Sequence, residues 1–345
     1  MKILIVTNMV PFVHGGAEEL AFHLVKNLKL SGHKAETVKI PFTWEPADKI
    51  IEEMLLCRNL RIGNHDRVIA LKFPAYLIPS ENKVFWLLHQ YRQAYDLWDA
   101  RQSNIPGDER GGHIRNFIIN ADNIAFKEAK KIFTNSKTTS DRLKHYNNFE
   151  SAVLPPPLND PEIFTGEGGK GGYIFAGGRV NSAKRQFLLI KALRYARKAK
   201  LIIAGPPDND SEAETIRRLA SEEGVKDRVK LDLRFLSRKE IAGYVNNSNA
   251  VAYLPFDEDS AGYVTMEAFQ AGKPVITTVD SGGVLEIVKN DQSGWVAEPD
   301  PEQLGRAMSD ALNNEKKTAG LGRNAKKILD SMGLNWDSTI ERLIS

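Results

Sequence analysis

Two stretches, Leu154-Pro-Pro-Pro157 and Gly166-Glu-Gly-Gly-Lys-Gly-Gly172, interrupt a regular alternation of short β-rich runs and helical patterns. Neither stretch has periodic apolar residues, and their proline and glycine content is typical of a linker. The alternation begins at Ile3 and restarts at Tyr173. Alternating strands and helices predict parallel sheets with helices on both faces. The chain is therefore predicted to form two α/β domains of the doubly wound, Rossmann-like type.

The predicted N-terminal domain covers residues 1–155, the linker 156–172 and the C-terminal domain 173–332. Residues 333–345 have the pattern of a short amphipathic helix, which we expect to pack back towards the N-terminal domain. In doubly wound folds, ligands bind at the carboxyl ends of the strands. The two domains are expected to face each other across a cleft, and this cleft is the predicted ligand site.

The composition is that of an ordinary globular protein, with 345 residues, 42% hydrophobic and 26% charged. A net charge of +3 gives no indication of nucleic-acid binding. The single cysteine, Cys57, excludes an intrachain disulfide and a cysteine-based metal site, and it is compatible with a reducing cytoplasm. No apolar run approaches the ~20 residues of a membrane span. We expect a cytoplasmic protein, soluble or at most peripheral at the inner face of a membrane.

The segment Asp259-Ser-Ala-Gly262-Tyr-Val-Thr-Met-Glu267 carries two carboxylates eight positions apart. Glu267 is predicted near the start of a helix over 265–271, and Asp259 in the loop before it. A loop carboxylate and a helix-borne carboxylate can bind two hydroxyl-rich groups of one ligand, which suggests a sugar nucleotide. The alternative is that both simply favour the helix N-terminus. That alternative explains Glu267 better than it explains Asp259 and Gly262.

Two glycine-containing turns between a strand and a helix are candidate phosphate sites. In Gly177-Gly178-Arg179-Val-Asn-Ser-Ala-Lys184, two cations and exposed amides suit a diphosphate and the charge that develops when it leaves. The alternative is a solvated basic pair. Gly15-Gly16 also allows close backbone approach to a phosphate, although an ordinary turn explains it equally well. Its spacing is not G-x-G-x-x-G, so a nicotinamide dinucleotide is less favoured.

His89 directly follows the predicted strand Val84–Leu88, where a polar residue would face the ligand side of the sheet. A lone histidine is nevertheless more often structural. Two D-x-D pairs, Asp208–Asp210 and Asp257–Asp259, match a spacing that some transferases use for metal ions. Such short matches are common by chance, and the first pair is more simply a turn and helix cap. Neither a metal nor another cofactor is predicted.

Taken in order, these motifs resemble the large retaining glycosyltransferase family 4, or glycosyl transferases group 1. Its members have the GT-B fold of two Rossmann-like domains. The resemblance extends over nearly the whole chain and rests on the joint order of the motifs. The stretches that carry it are Gly15-Gly16-Ala17-Glu18, Ser136, Pro155-Pro156, Gly178-Arg179 with Lys184, Asp259 to Glu267, Gly282-Gly283 with Glu286, and Gly294-Trp-Val296.

The resemblance implies retaining transfer of a sugar from a nucleotide diphosphate-sugar, UDP- or GDP-linked, to a hydroxyl of a glycan or lipid-linked acceptor. Arg179 and Lys184 would hold the diphosphate, Glu267 the ribose, Asp259 the donor-sugar hydroxyls, and His89 would lie near the anomeric carbon. The nucleobase would lie by the backbone of residues 234–237, and the N-terminal domain would carry the acceptor. The remaining residues implied in donor binding are Gly15, Gly16, Gly178, Arg234, Leu236, Gly262, Tyr263 and Val264.

One departure from the family pattern concerns Asp259, where the family usually has glutamate. Aspartate is one methylene shorter, so the identity of the donor sugar stays open. Two other functions also stay open. One is a GT-B sugar-nucleotide epimerase or phosphorylase, and the other is a non-catalytic subunit that binds a sugar nucleotide and supports a partner enzyme.

Overall fold

The computed structural model describes residues 1–12, 15–167 and 171–345. It divides into two compact units, which are Met1–Pro157 with Leu334–Ser345 (unit 1) and Leu158–Gly333 (unit 2). Part of the predicted linker, Gly168 to Lys170, and His14 beside the first glycine turn lie outside the described residues. The linker and the cleft stay predictions.

Unit 1 is built on a parallel sheet in the order β2-β1-β3-β4-β5-β6. The central strands are almost continuously buried because helices cover both faces of the sheet. The strands are β1 Lys2–Met9, β2 Lys34–Pro41, β3 Arg67–Lys72, β4 Lys83–His89, β5 Ala129–Thr134 and β6 Ala152–Val153. The helices are α1 Gly16–Leu30, α2 Lys49–Asn59, α3 Asp96–Asp99, α4 Glu109–Lys127, α5 Lys137–Asn147 and, at the end of the chain, α12 Trp336–Ile344.

Helix α12 completes the core of unit 1. Ile340 and Leu343 are 3% and 0% exposed and belong to the same apolar cluster as Trp86 of β4. The Trp336 ring packs edge-on against the Trp86 ring, with 6.2 Å between ring centres. The Trp86 indole N–H donates to the Leu154 carbonyl over 2.8 Å. One buried tryptophan thus contacts both segments of unit 1, near the end of the first at Leu154 and in the second at Trp336.

Unit 2 is built on a second parallel sheet, in the order β12-β11-β10-β7-β8-β9. The strands are β7 Tyr173–Gly177, β8 Lys200–Ala204, β9 Val229–Asp232, β10 Ala250–Ala252, β11 Val275–Thr278 and β12 Gly294–Ala297. The helices are α6 Gln186–Ala192, α7 Asp210–Glu222, α8 Arg238–Asn247, α9 Gly262–Gln270, α10 Pro301–Asn313 and α11 Glu315–Ser331. The prediction of two doubly wound α/β domains is confirmed. Within the described part of the chain, no helix combines the length and apolar character that a membrane crossing requires.

Candidate functional site

Three loops meet at the carboxyl ends of β7, β10 and β11, which are neighbours in the unit 2 sheet. We name them the basic loop (178–185), the acidic loop (255–261) and the glycine loop (279–283). Backbone hydrogen bonds join them: Phe256 donates to Ala183 over 2.9 Å and Asp257 donates to Asp280 over 2.8 Å. Ligands bind at this end of a doubly wound sheet, so the three loops form the candidate site.

The glycine loop lies against the acidic loop so closely that side chains do not fit between them. Gly282 has φ of +60°, and a Cβ on it would lie 2.4 Å from the Glu258 carbonyl oxygen. A Cβ on Gly283 would lie 2.7 Å from the Ser260 Cα, and the Gly283 N–H donates to Glu258 O over 2.7 Å. Gly282 thus occupies a tight turn with a positive φ, which glycine adopts without strain, and this turn fixes the backbone of the acidic loop.

The first half of the basic loop packs against the end of β8. Gly178 has φ of +105°, and its N–H donates to Ala204 O over 3.1 Å. A Cβ on Gly205 would lie 2.1 Å from the Gly178 carbonyl oxygen. Arg179 is 41% exposed, and its Nη1 lies 3.1 Å from Asp208 Oδ1. Among the residues that the structure describes, no group of three or more His, Cys, Asp or Glu side chains has an arrangement suited to a metal ion.

Lys184 is the more enclosed of the two predicted diphosphate ligands, with its side chain 20% exposed. Its Nζ donates to the Tyr253 hydroxyl over 2.9 Å and forms an ion pair with Glu258. Burial lowers the pKa of this ammonium, but the effects of Tyr253 and Glu258 raise it by more than burial lowers it. The pKa of Lys184 is therefore above its ordinary value. Lys184 is therefore a charged group at neutral pH, and Glu258 already lies against it.

Arg185 links all three loops, although sequence reasoning did not single it out. It has φ of +54°, and its side chain is 10% exposed. The guanidinium donates to the carbonyls of Leu254 and Pro255 over 2.8 and 3.0 Å and to Thr278 Oγ1 over 2.8 Å. It also binds both carboxylate oxygens of Asp280, at 2.8 and 2.7 Å. From the sequence, Arg185 was one more basic residue beside Lys184.

Glu267 lies deeper in its helix than predicted. The helix begins at Gly262 and not at Thr265, because Tyr263 and Val264 are half-buried and extend its apolar side. Glu267 therefore lies beyond the first turn of the helix. The helix dipole acts mainly within the first turn, so it is a weaker explanation for a carboxylate at this position. The residue is 4% exposed and forms an ion pair with Arg238.

Arg238 was also missed by sequence reasoning. Its Nη2 donates to Asn159 O over 2.8 Å, and its guanidinium lies 5.0 Å from the Phe164 ring centre. These contacts hold the cation in place and so orient the Glu267 carboxylate.

The start of α9 packs against the basic loop. Gly262 has φ of +73°, and a Cβ on it would lie 2.9 Å from Tyr253 Cε1. A Cβ on Gly178 would lie 3.7 Å from Val264 Cγ2. Asp259 is half-buried in the acidic loop just before this helix. The structure thus brings together the predicted residues Gly178, Lys184, Gly262 and Val264 around Tyr253.

Arg234 and Leu236 lie after β9, where the nucleobase was predicted to bind. Arg234 is 56% exposed, with Nε 2.9 Å from Asp232 Oδ1 and Nη2 2.6 Å from Glu240 Oε1. Leu236 is buried, and Ser237 caps α8. The backbone of this segment is therefore fixed on both sides, and its role with the nucleobase stays a prediction.

The predicted residues Gly15, Gly16 and His89 belong to unit 1. The Gly15 N–H donates to Glu18 Oε2 over 2.9 Å and α1 begins at Gly16, so the Glu18 side chain satisfies the backbone N–H of the N-cap residue. His89 ends β4, and its Nδ1 lies 2.6 Å from the Gln90 carbonyl oxygen. Both features lie at carboxyl ends of strands in the unit 1 sheet, and their roles stay predictions.

A buried polar network begins next to His89. The Gln90 amide donates to Asn147 Oδ1 over 2.7 Å, and the Asn147 amide lies 3.3 Å from the Tyr95 hydroxyl. That hydroxyl donates to Asp122 Oδ2 over 2.7 Å. Burial raises the pKa of Asp122 to about 7, against an ordinary value of 3.8, and the Tyr95 hydrogen bond offsets part of the rise. Asp122 thus takes up a proton on folding at mildly acidic pH.

Replacement of Asp122 by asparagine is expected to flatten the pH dependence of stability. With a raised folded-state pKa, the stabilisation is fully present below pH 3.8 and is lost as the pH rises through about 7. The free energy of unfolding of the native chain should therefore fall from pH 5 to pH 8, and that of Asp122→Asn should fall less. Urea unfolding across this range measures it, with exposed Asp141→Asn as control. Equal slopes in Asp122→Asn and the native chain would contradict the role of Asp122.

Comparison with known proteins bears directly on unit 2. Residues 164–328 match the family model described as Glycosyl transferases group 1. The second unit is therefore similar to the group 1 glycosyl transferases over nearly its whole length. This match includes the basic, acidic and glycine loops, together with Arg238 and Glu267.

Curated proteins similar to part of this chain are named glycosyltransferases. A D-inositol 3-phosphate glycosyltransferase of Corynebacterium glutamicum is 28% identical over 178 residues, which is 49% of this chain and 41% of the relative. The human alpha-1,3/1,6-mannosyltransferase ALG2 is 33% identical over 96 residues, or 27% of this chain and 23% of the relative. The chain thus matches less than half the length of these relatives.

Solved structures match the whole fold. Anabaena HepE in complex with UDP-glucose covers 100% of this chain and 98% of its own, with a TM-score of 0.73 and 17% identity. The sucrose-phosphate synthase of Thermosynechococcus elongatus covers 99% and 97%, with a TM-score of 0.76 and 16% identity. The fold is GT-B, with two Rossmann-like α/β domains.

Proposed function

We propose that the protein is a retaining glycosyltransferase that moves a sugar from a nucleotide diphosphate-sugar to a hydroxyl of a glycan or lipid-linked acceptor. The observation that carries this proposal is the position of Lys184 and Arg179 in the basic loop, at the ligand end of a unit similar to the group 1 glycosyl transferases. Structures of the similar Anabaena protein hold UDP, UDP with glucose, and UDP-glucose, which favours a UDP-sugar over a GDP-sugar as donor.

In the proposed reaction, the acceptor oxygen forms a bond to the anomeric carbon as the bond from that carbon to the diphosphate breaks. The bonding electron pair stays with the diphosphate, and the acceptor proton passes to a departing phosphate oxygen. Lys184 and Arg179 would stabilise the negative charge that develops on the leaving group. Neither a metal nor another cofactor enters this scheme.

Other residues of the site would hold the rest of the donor. Glu267, oriented by Arg238, would accept hydrogen bonds from the ribose hydroxyls, and Asp259 would contact the sugar. His89 would lie near the anomeric carbon. Asp259 is one methylene shorter than the glutamate usual in the family. The donor sugar would therefore have a different hydroxyl pattern from the sugars that the glutamate contacts, or it would lie nearer the acidic loop.

A thermal-shift screen of UDP-, GDP- and ADP-sugars tests the donor class. A donor that binds only the native state should raise the midpoint of unfolding, and at one concentration the donor with the higher affinity should raise it more. The expected result is a larger shift with one UDP-sugar than with the matching GDP- and ADP-sugars. No shift with any member of the panel would contradict the proposal.

Product analysis separates the two alternatives, neither of which the comparisons favour. An epimerase would convert the donor without an acceptor, and a phosphorylase would depend on inorganic phosphate. A non-catalytic subunit would bind the donor yet give no product across a panel of acceptors. Transfer to an acceptor with retained anomeric configuration would exclude both alternatives.

A further inference from the structure

The charged side chains proposed to bind the donor in unit 2 already have partners within the chain. Arg179 lies against Asp208, Lys184 against Glu258, Arg234 against Glu240, and Glu267 against Arg238. A donor diphosphate therefore meets cations whose nearest anions are internal carboxylates. The Lys184–Glu258 pair has side chains 20% and 25% exposed, against 41% and 33% for Arg179–Asp208. Solvent screens the Lys184–Glu258 pair less than the Arg179–Asp208 pair. Exchange of Glu258 for a phosphate on Lys184 should therefore have the larger effect on donor affinity.

Glu258 is presented to Lys184 by a fixed backbone. The Glu258 carbonyl accepts the Gly283 N–H over 2.7 Å. The Gly282 backbone also lies so close to the Glu258 carbonyl that the acidic loop does not move towards the glycine loop without a clash. The Glu258 carboxylate also lies 3.2 Å from the Tyr253 hydroxyl, which is 2.9 Å from Lys184 Nζ. The side chain thus binds the ammonium directly and through a hydroxyl, as a phosphate oxygen could.

A phosphate and the Glu258 carboxylate are not both accommodated on Lys184 in this arrangement. Each is anionic, and like charges at contact distance repel strongly where water is partly excluded. The backbone of the acidic loop is held, but the side chain has rotatable bonds that allow the carboxylate to turn away. The ammonium and the Tyr253 hydroxyl would then remain as donors to the diphosphate.

We propose that Glu258 is an internal competitor of the donor's diphosphate for Lys184, displaced when the donor binds and returning as the nucleoside diphosphate product leaves. The proposal rests on the proposed function and adds to it a residue that sets nucleotide affinity and product release. If Lys184 is available for only a fraction of the time, the apparent affinity is reduced by that fraction. Removing the Glu258 carboxylate should therefore restore the full affinity of the site for the nucleotide.

The test compares the native chain with Glu258→Gln by calorimetric titration with UDP, GDP and ADP at one salt concentration. Glutamine keeps the size of the side chain and removes its charge. The expected result is about tenfold tighter binding of the preferred nucleotide, which corresponds to 1.4 kcal/mol. Stopped-flow release of that nucleotide should be slower in Glu258→Gln by a similar factor. Equal or weaker binding by Glu258→Gln would overturn the proposal.

Two controls separate competition for Lys184 from a general effect of charge. Glu214→Gln removes a negative charge from an exposed position on α7 of the same unit and should change affinity less than twofold. In a Lys184→Ala background, Glu258→Gln should give no gain, since the contested cation is gone. An equal gain in either control would overturn the proposal. If the native chain binds none of the three nucleotides, the proposed function itself fails, which is distinguishable from binding that Glu258→Gln leaves unchanged.

Discussion

Replacement of Lys184 by alanine is expected to lower the rate of sugar transfer by about 100-fold or more. Removing one preorganised group that stabilises charge in a transition state typically costs ~3 kcal/mol. Lys184 is charged, enclosed and aimed by Tyr253, so solvent does not readily replace it. The rate should be measured with saturating donor and acceptor, so that the loss is seen in kcat and is separated from any loss of binding.

Lys198→Ala is the matched control, because Lys198 is an exposed lysine of the same unit. It should leave the rate within twofold of the native value. Circular dichroism should show that Lys184→Ala is folded, so that the loss reflects the missing ammonium. Near-normal turnover of folded Lys184→Ala would remove Lys184 from the catalytic machinery.

Replacement of Arg185 by methionine is expected to destabilise unit 2 by about 3–5 kcal/mol, the usual cost of removing one partner from a buried ion pair. Methionine keeps an unbranched apolar stem but leaves Asp280, Thr278 and two carbonyl groups without the guanidinium. Because the guanidinium links all three loops, nucleotide binding should weaken as well. Urea unfolding gives the first quantity and calorimetric titration the second.

Arg194→Met provides the comparison for this prediction. Arg194 also pairs with a carboxylate, Glu223 at 3.3 Å, but is 65% exposed, so its removal should cost no more than about 1 kcal/mol. A double replacement with Asp280→Asn should cost less than the sum of the two single changes, since the two side chains share one interaction. Additive losses would show that Arg185 acts other than through Asp280.

The fold could be predicted from the sequence because its signals are local. Strand-helix alternation predicted the parallel sheets, and local contacts such as the hydrogen bond from the Thr139 N–H to Ser136 Oγ, over 3.0 Å, define where helices begin. The start of α9 was predicted at Thr265, whereas the helix begins at Gly262. Such boundaries depend on which neighbours bury the first turn, and a local pattern does not contain that information.

The internal partners in the site could not be predicted in the same way. Glu258 is 74 positions from Lys184, and Asp280 is 95 positions from Arg185. Loops that follow neighbouring strands lie close together even when they are far apart along the chain. The order of strands in the sheet is a tertiary property, so local sequence patterns do not predict which loops meet. Sequence therefore indicated which residue types bear the chemistry, and the structure supplied the carboxylates that compete with the donor for them.

The arrangement of unit 1 has a consequence for the order of synthesis. Its sheet needs Ile340 and Leu343, which leave the ribosome only after all of unit 2 has been made. Domains generally fold in the order in which they emerge. Here unit 1 is translated first but completed only after unit 2, because α12 must be made before it can cover the apolar surface around Trp86. Nascent chains that stop before Trp336 should therefore expose this apolar surface to chaperones, even though all of unit 2 has already been made.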